Sequence, residues 1–264
     1  MVNLFIIGEA KCGTTFLWSV LQRLPETIHA FSEARMFGKK DHPYHDLFAK
    51  KELHFFDGMN IKKGLGWYNG LFKEDDGIKI DASPSYLSNP FSPRLVHEYN
   101  SQAKIIVMVR EPVERVVSHY NWLVRRKDVN EAEESIESMI EFEFKNIDKL
   151  IKEKLTKPIH FSRDPEGATF RKYSLVRRSR YINNIRSWQK YFKKSQILVV
   201  DSREIFKGDF SKVFDFLNVD PLEKILELPH NKNKNPDKKT YSPSIAGYFE
   251  QSNLELKNEF GIEY

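Results

Sequence analysis

The chain has 264 residues, 40% hydrophobic and 13% aromatic, with a formal net charge of +5 and a pI near 9.0. That is enough apolar material for one large domain with a proper core, and it excludes a largely disordered chain. The one cysteine excludes an intrachain disulfide and a cysteine-rich metal site, while the modest basic balance suits an anionic ligand without naming one.

The first apolar run, Leu4–Ile7, reads as a buried strand. It leads through Gly8-Glu9-Ala10-Lys11-Cys12-Gly13-Thr14-Thr15 into a helix whose Phe16, Leu17, Val20, Leu21 and Leu24 share a face. Residues 26–50 are mixed and polar and take no regular assignment. Ile78–Asp81 and Ile105–Val109 are the next two strands. Pro112 then opens a helix that carries Val113, Val116, Val117, Tyr120 and Val124 on one side. Residues 128–157 are charged, with apolar residues at helical spacing (Ile136, Met139, Ile140, Phe144, Ile147, Leu150, Ile151). They read either as a solvated helix pair covering the core or as a lid over an acceptor site. Ile182, Ile185, Trp188 and Phe192 mark a helix before the fourth strand, Ile197–Val200, and Ser242-Pro243 opens a last helix that Gly261 ends. Strands alternating with helices predict an α/β fold of three layers, a central parallel sheet flanked by helices. No repeat, low-complexity tract or linker divides the chain. One domain over residues 1–264 is expected, with 26–50 and 128–170 as acceptor-site insertions or a lid. No signal-peptide pattern precedes the first strand and no apolar run reaches the length of a membrane span, so a cytoplasmic protein is expected.

Three groups of residues carry chemistry. A strand, a glycine-bearing turn and a helix N-terminus form an anion cradle, because free N–H groups and the helix dipole both favour a phosphate there. A Walker A loop places its lysine after the second glycine, whereas Lys11 precedes Gly13 by two residues. The loop reads as a phosphate loop unlike that of an ordinary ATPase, or else as a turn capped by threonine. Cys12 fills the turn, and the helix N-terminus is expected to lower its pKa and give mild thiol reactivity. At the end of the third strand stands Arg110, where a nucleotide kinase would want an acid for Mg²⁺. Arginine suits a phosphate, with Ser118 two turns along the helix joining it, or a neighbouring carboxylate. In Lys51-Glu52-Leu53-His54-Phe55-Phe56-Asp57, an extended backbone would put Glu52 and His54 on one face as a proton-removing pair and anchor Leu53 and Phe55 on the other. A β-edge with surface polar residues is the alternative.

Together these pieces resemble the sulfotransferases that use 3′-phosphoadenosine 5′-phosphosulfate (PAPS), with a P-loop NTPase-like fold. The match rests on Lys11-x-Gly13-Thr14-Thr15, Arg110-Glu-Pro-x-x-Arg-x-x-Ser118 and the 51–57 segment. Asp81-Ala-Ser-Pro-Ser-Tyr86 and Arg180-Tyr181 through Val200 follow the carbohydrate, heparan-sulfate-like branch. The resemblance implies that Lys11, Gly13, Thr14 and Thr15 hold the 5′-phosphosulfate, with Cys12 and Phe16 beside it, and that Arg110 and Ser118 hold the 3′-phosphate. It places Tyr181 near the nucleotide and implies a closing basic loop at Asn235–Thr240, in which it does not choose between Lys238 and Lys239. It further implies in-line transfer of a sulfuryl group to a hydroxyl or amine, with Glu52 as base, His54 orienting the acceptor or acting as base itself, Lys11 stabilising the leaving phosphate, and no metal. A single cysteine cannot form the disulfide of the animal heparan enzymes, which points to a bacterial or viral intracellular member. A sugar acceptor is favoured, with nucleic acid not expected as a partner. The competing classes are a kinase-like P-loop phosphotransferase and a non-catalytic anion- or nucleic-acid-binding module.

Overall fold

The computed structural model describes residues 1–28, 30, 51–58, 60–72, 76–154, 165–221 and 243–264. Its centre is a parallel sheet of five strands: β1 (Leu4–Gly8), β2 (Thr27–Ile28), β3 (Ile78–Asp81), β4 (Lys104–Val109) and β5 (Ile197–Asp201), in the order β2-β3-β1-β4-β5. Leu4 sits in register with Ile80 on one side and Lys104 on the other, and Ile105 with Ile197 beyond. Every residue of β1 is buried, as expected for a parallel strand covered on both faces.

The four strands expected from apolar runs are all present. The fifth, β2, lies at the start of the polar stretch and pairs with β3 through only two residues, Thr27 and Ile28. Such a strand has no room for an apolar run, and it is fixed by pairing rather than by pattern.

Helices flank the sheet. Thr14–Leu21 buries Leu17, Trp18, Val20 and Leu21, and Tyr181–Gln189 buries Ile182, Ile185 and Trp188; both belong to the main core with β1, β4 and β5. Pro112–Arg125 starts as expected. Proline occupies its first turn, and the Glu111 carboxylate caps it by accepting from the N–H groups of Val113 (3.0 Å) and Glu114 (2.6 Å).

A second core joins Val113, Val116, Tyr120 and Leu123 of that helix to Ile136, Met139 and Ile140. The last three lie on one 19-residue helix, Ile136–Lys154. Its buried face differs from the expected one. Phe144 is half exposed, and the inward position belongs to Glu143. The Glu143 carboxylate accepts from the N–H groups of Val176 (2.8 Å) and Arg177 (2.7 Å), the start of the short helix Leu175–Ser179. Hydrophobic spacing cannot reveal a buried acid that serves as another helix's cap.

The single last helix expected from Pro243 is two elements, a 3₁₀ segment Pro243–Tyr248 and the helix Glu250–Phe260, which ends at a left-handed Gly261. The expected loop with Lys238 and Lys239 lies outside the described residues.

Candidate active site

The carboxyl ends of β1, β3 and β4 converge on one edge of the sheet. The chain leaves β1 toward β2 and β3, then crosses to β4 on β1's other side, and such a switch point leaves a crevice at the strand ends. The loop Gly8–Gly13 opens into it. A Cβ on Gly8 would lie 2.5 Å from the Met108 carbonyl oxygen, so only glycine lets the loop leave β1 this close to β4. Lys11 and Gly13 are left-handed (φ 81° and 86°), and the Cys12 N–H closes a turn on the Glu9 carbonyl at 3.0 Å. Among the described residues, no side chain caps the helix that begins at Thr14. Successive backbone N–H groups turned by left-handed residues, followed by a helix N-terminus, make a concavity for an anion.

Beneath this loop the anchoring is ionic. Glu9 is fully buried and takes the Arg178 guanidinium on one oxygen at 2.6 Å. Arg115, also fully buried, donates to the Ser179 hydroxyl (2.6 Å) and the Leu175 carbonyl (2.7 Å). Cys12 is completely buried against the Tyr181 hydroxyl, with Sγ and Oη 3.5 Å apart. Burial pushes the thiol up to about 11, so the expectation of a lowered pKa is overturned: desolvation outweighs the nearby Arg115 charge and the Tyr181 hydrogen bond. Tyr181 itself is 1% exposed and meets the loop from below. Phe16 packs its ring against Phe206 and Phe210, with centroids 5.9 and 6.1 Å away.

Cations gather at the rim. Arg110 donates from Nη1 to the Lys11 carbonyl at 3.3 Å, and Nε and Nη2 bond the Glu114 carboxylate at 3.1 and 2.9 Å. Arg110 therefore pairs with a carboxylate, one of the two readings of its place, and it also stands against the loop. A guanidinium has five N–H donors, so these bonds leave capacity for a further acceptor. Ser118, half-buried, follows Glu114 by one helical turn on the same side. The Lys11 ammonium is lowered to about 8 by burial first, then by the charges of Arg125 and Arg110. An anion in the crevice would relieve that crowding.

The 51–57 segment crosses the same edge, but it is not the extended strand that alternation predicts. Glu52 and His54 are both left-handed (φ 61° and 49°), and no strand forms there. The two side chains meet nonetheless, with Glu52 Oε2 3.5 Å from His54 Nε2. Leu53 and Phe55 are buried as anchors. The segment is held by the stretch after β3. The Tyr86 hydroxyl accepts from the N–H groups of Phe55 (2.8 Å) and Phe56 (3.1 Å) and donates to Asp81 Oδ2 (2.8 Å). The Ser83 hydroxyl accepts from the His54 N–H (3.0 Å) and donates to Asp81 Oδ1 (2.6 Å), and Asn60 donates to the Leu53 carbonyl at 2.7 Å.

A line of charge runs along the segment. Buried Lys51 donates to Glu52 Oε1 at 2.6 Å and to the Thr14 hydroxyl at 3.4 Å. His54 Nδ1 lies 2.5 Å from Asp57 Oδ2, which also accepts from Ser85. Burial alone would lower the His54 pKa, but Asp57 and Glu52 outweigh it and raise it to about 10, so the ring is an imidazolium at neutral pH. Burial would raise Glu52, yet Lys51 and His54 hold it well below the usual carboxylate range. Its side chain stays 40% exposed toward the crevice. Lys51, Asp57, Ser85 and the Asp81–Tyr86 brace were not singled out as functional from sequence. Their signal was present in the motifs, but their partners lie up to 37 residues away. Among the described residues, no group of three or more His, Cys, Asp or Glu side chains is arranged to hold a metal ion, and no helix is long and apolar enough to cross a membrane.

Known proteins match this architecture. The sulfotransferase from Alicyclobacillus acidocaldarius superposes with a TM-score of 0.68 at 21% identity, covering 100% of this chain and 97% of that one, which establishes the shared fold. Heparan sulfate glucosamine 3-O-sulfotransferase 5 of Homo sapiens is 29% identical over 222 residues, 82% of this chain and 53% of that protein. The bifunctional heparan sulfate N-deacetylase/N-sulfotransferase 1 of Caenorhabditis elegans is 24% identical over 228 residues, 86% of this chain and 22% of that one. The chain thus spans about half the length of the first of these curated relatives and less of the second. The family model for the sulfotransferase domain matches residues 2–255, nearly the whole length, and the chain belongs to that family.

Proposed function

We propose that this chain moves the sulfuryl group of PAPS to a hydroxyl or amine of a carbohydrate acceptor. The observation that carries this reading is the single ammonium of Lys51, which joins the Thr14 hydroxyl of the phosphate loop to the Glu52 carboxylate and so puts the anion cradle and the base in one crevice. The glycan class of the acceptor rests on the relatives, which are named for heparan sulfate.

The donor supplies a sulfuryl group on a phosphate leaving group. The left-handed loop and the start of the first helix fit the 5′-phosphosulfate, and Arg110, with Ser118 beside Glu114, fits the 3′-phosphate. Lys11 places its charge where negative charge grows on the bridging oxygen, as fixed electrostatic stabilisation. Glu52 takes the acceptor proton. His54, with a carboxylate against each ring nitrogen, orients Glu52 instead of competing with it as a base. Asp57 and Ser85 hold the ring in that attitude.

The test is thermal unfolding with adenosine 3′,5′-bisphosphate, with ATP–Mg²⁺ as the control, followed by turnover with PAPS on sugar acceptors. At a hundred times Kd a native-state ligand adds about 2.7 kcal/mol, easily seen as a raised midpoint. A shift with the bisphosphate alone supports the donor site. A shift only with ATP–Mg²⁺ would turn the assignment to a phosphotransferase.

A further inference from the structure

We infer that Lys51 is a positioning residue that couples occupancy of the phosphate loop to the basicity of Glu52. Its buried ammonium holds the Thr14 hydroxyl and the Glu52 carboxylate together, and an anion on the loop draws it away from the carboxylate. This rests on reading the loop as the donor site.

The Lys51 side chain is fully buried, so its charge must be met by protein groups. An ammonium has three N–H donors. One goes to Glu52 Oε1 at 2.6 Å and one to Thr14 Oγ1 at 3.4 Å, leaving one for an anion beside Thr14. The shorter of the two contacts is the one to the base. A carboxylate gripped this tightly is a poor proton acceptor. A phosphate on the loop brings a second anion to the same ammonium. Sharing it loosens the hold on Glu52, and the new negative charge itself favours the protonated acid. The base strengthens when the donor is in place. Glu52 is also faced by His54, with Asp57 and Ser85 behind it, and by Lys11 across the crevice. Those groups stay when Lys51 is replaced. Lys51 makes and breaks no covalent bond.

The experiment is carbon-13 NMR of the Glu carboxylates, with Glu52 assigned through Glu52→Gln and titrated in wild type, Lys51→Met and Lys51→Arg. In wild type, Glu52 is expected to stay ionised to the lowest pH at which the fold survives. Lys51→Met is expected to raise its midpoint by about one pH unit or more, and Lys51→Arg to keep it low. Saturating adenosine 3′,5′-bisphosphate is expected to raise the wild-type midpoint, and to move that of Lys51→Met less. Equal Glu52 titrations in folded wild type and Lys51→Met would overturn the coupling. So would bisphosphate binding, seen as a raised unfolding midpoint, that leaves Glu52 unmoved. Should Lys51→Met not fold, Lys51→Gln takes its place and the wild-type bisphosphate comparison decides alone. If the bisphosphate does not bind, the donor reading fails and the occupancy coupling with it, while the Lys51 variants still decide whether Lys51 sets the basicity of Glu52.

Discussion

The loop after β1 and the Lys51–Asp57 segment meet at the Thr14–Lys51 bond, yet they are built in opposite ways. The loop is shaped by its own backbone: a glycine against the Met108 carbonyl, two left-handed residues and the helix that starts at once behind them. The segment has no regular structure and takes its shape from hydroxyls and amides elsewhere, chiefly Ser83, Tyr86 and Asn60. A site can thus join a part that folds by local rule to a part that is cast against a neighbour. The two should fail differently when their parts are removed.

The largest effects test whether both halves serve one reaction. Lys11→Ala should lower turnover about 10²–10³-fold and Glu52→Gln about 10²–10⁴-fold, measured with PAPS under saturating acceptor. Near-normal turnover in Glu52→Gln would mean that Glu52 is not the base. Next, Arg110→Ala should weaken bisphosphate binding about 10–100-fold by calorimetry, the worth of hydrogen bonds to a charged group, with little change in stability. Affinity should also fall as pH rises above about 8, because Lys11 then loses the proton that an anion favours.

Tyr86→Phe reverses that pattern. It leaves the buried N–H groups of Phe55 and Phe56 without the Tyr86 acceptor and should cost about 1–3 kcal/mol in denaturant unfolding. The last effect is a slope. His54 has a folded pKa of about 10 against an ordinary value of 6.5, so its contribution is complete below pH 6.5 and drains away as pH climbs to 10. Unfolding midpoints should decline across that window, and Asp57→Asn should flatten the decline. Because Lys11, lowered to about 8, contributes an opposite slope above that pH, the Asp57→Asn comparison decides: a slope that it leaves unchanged would mean that the imidazolium does not form.

Legibility from sequence follows the same divide. Lys11, Gly13, Thr14 and Thr15 could be read because their neighbours in the chain are their neighbours in space. Ile105–Val109 and Ile197–Val200 could be read because a doubly covered strand is continuously apolar. Glu52 and His54 meet, but through left-handed backbone and long-range hydrogen bonds and not through the alternation that the sequence suggests. Thr27–Ile28 and Glu143 were unreadable for one reason: each is defined by a partner far along the chain, Ile78–Lys79 for the strand and Val176–Arg177 for the acid. The raised pKa of Cys12 comes from burial, which the sequence does not display and which outweighs the nearby arginine charges.

The strand order has a consequence for synthesis. β1 is made before β3 and β4 but lies between them, with Leu4 in register with Ile80 and Lys104. At ~5–20 residues per second, about 5–20 s pass before both its neighbours exist, plus the time the ribosome tunnel withholds them. For that interval Leu-Phe-Ile-Ile waits without its sheet. A chaperone that binds short apolar stretches would find its natural hold there, and slowing translation between β1 and β4 should increase aggregation more than slowing it after β5.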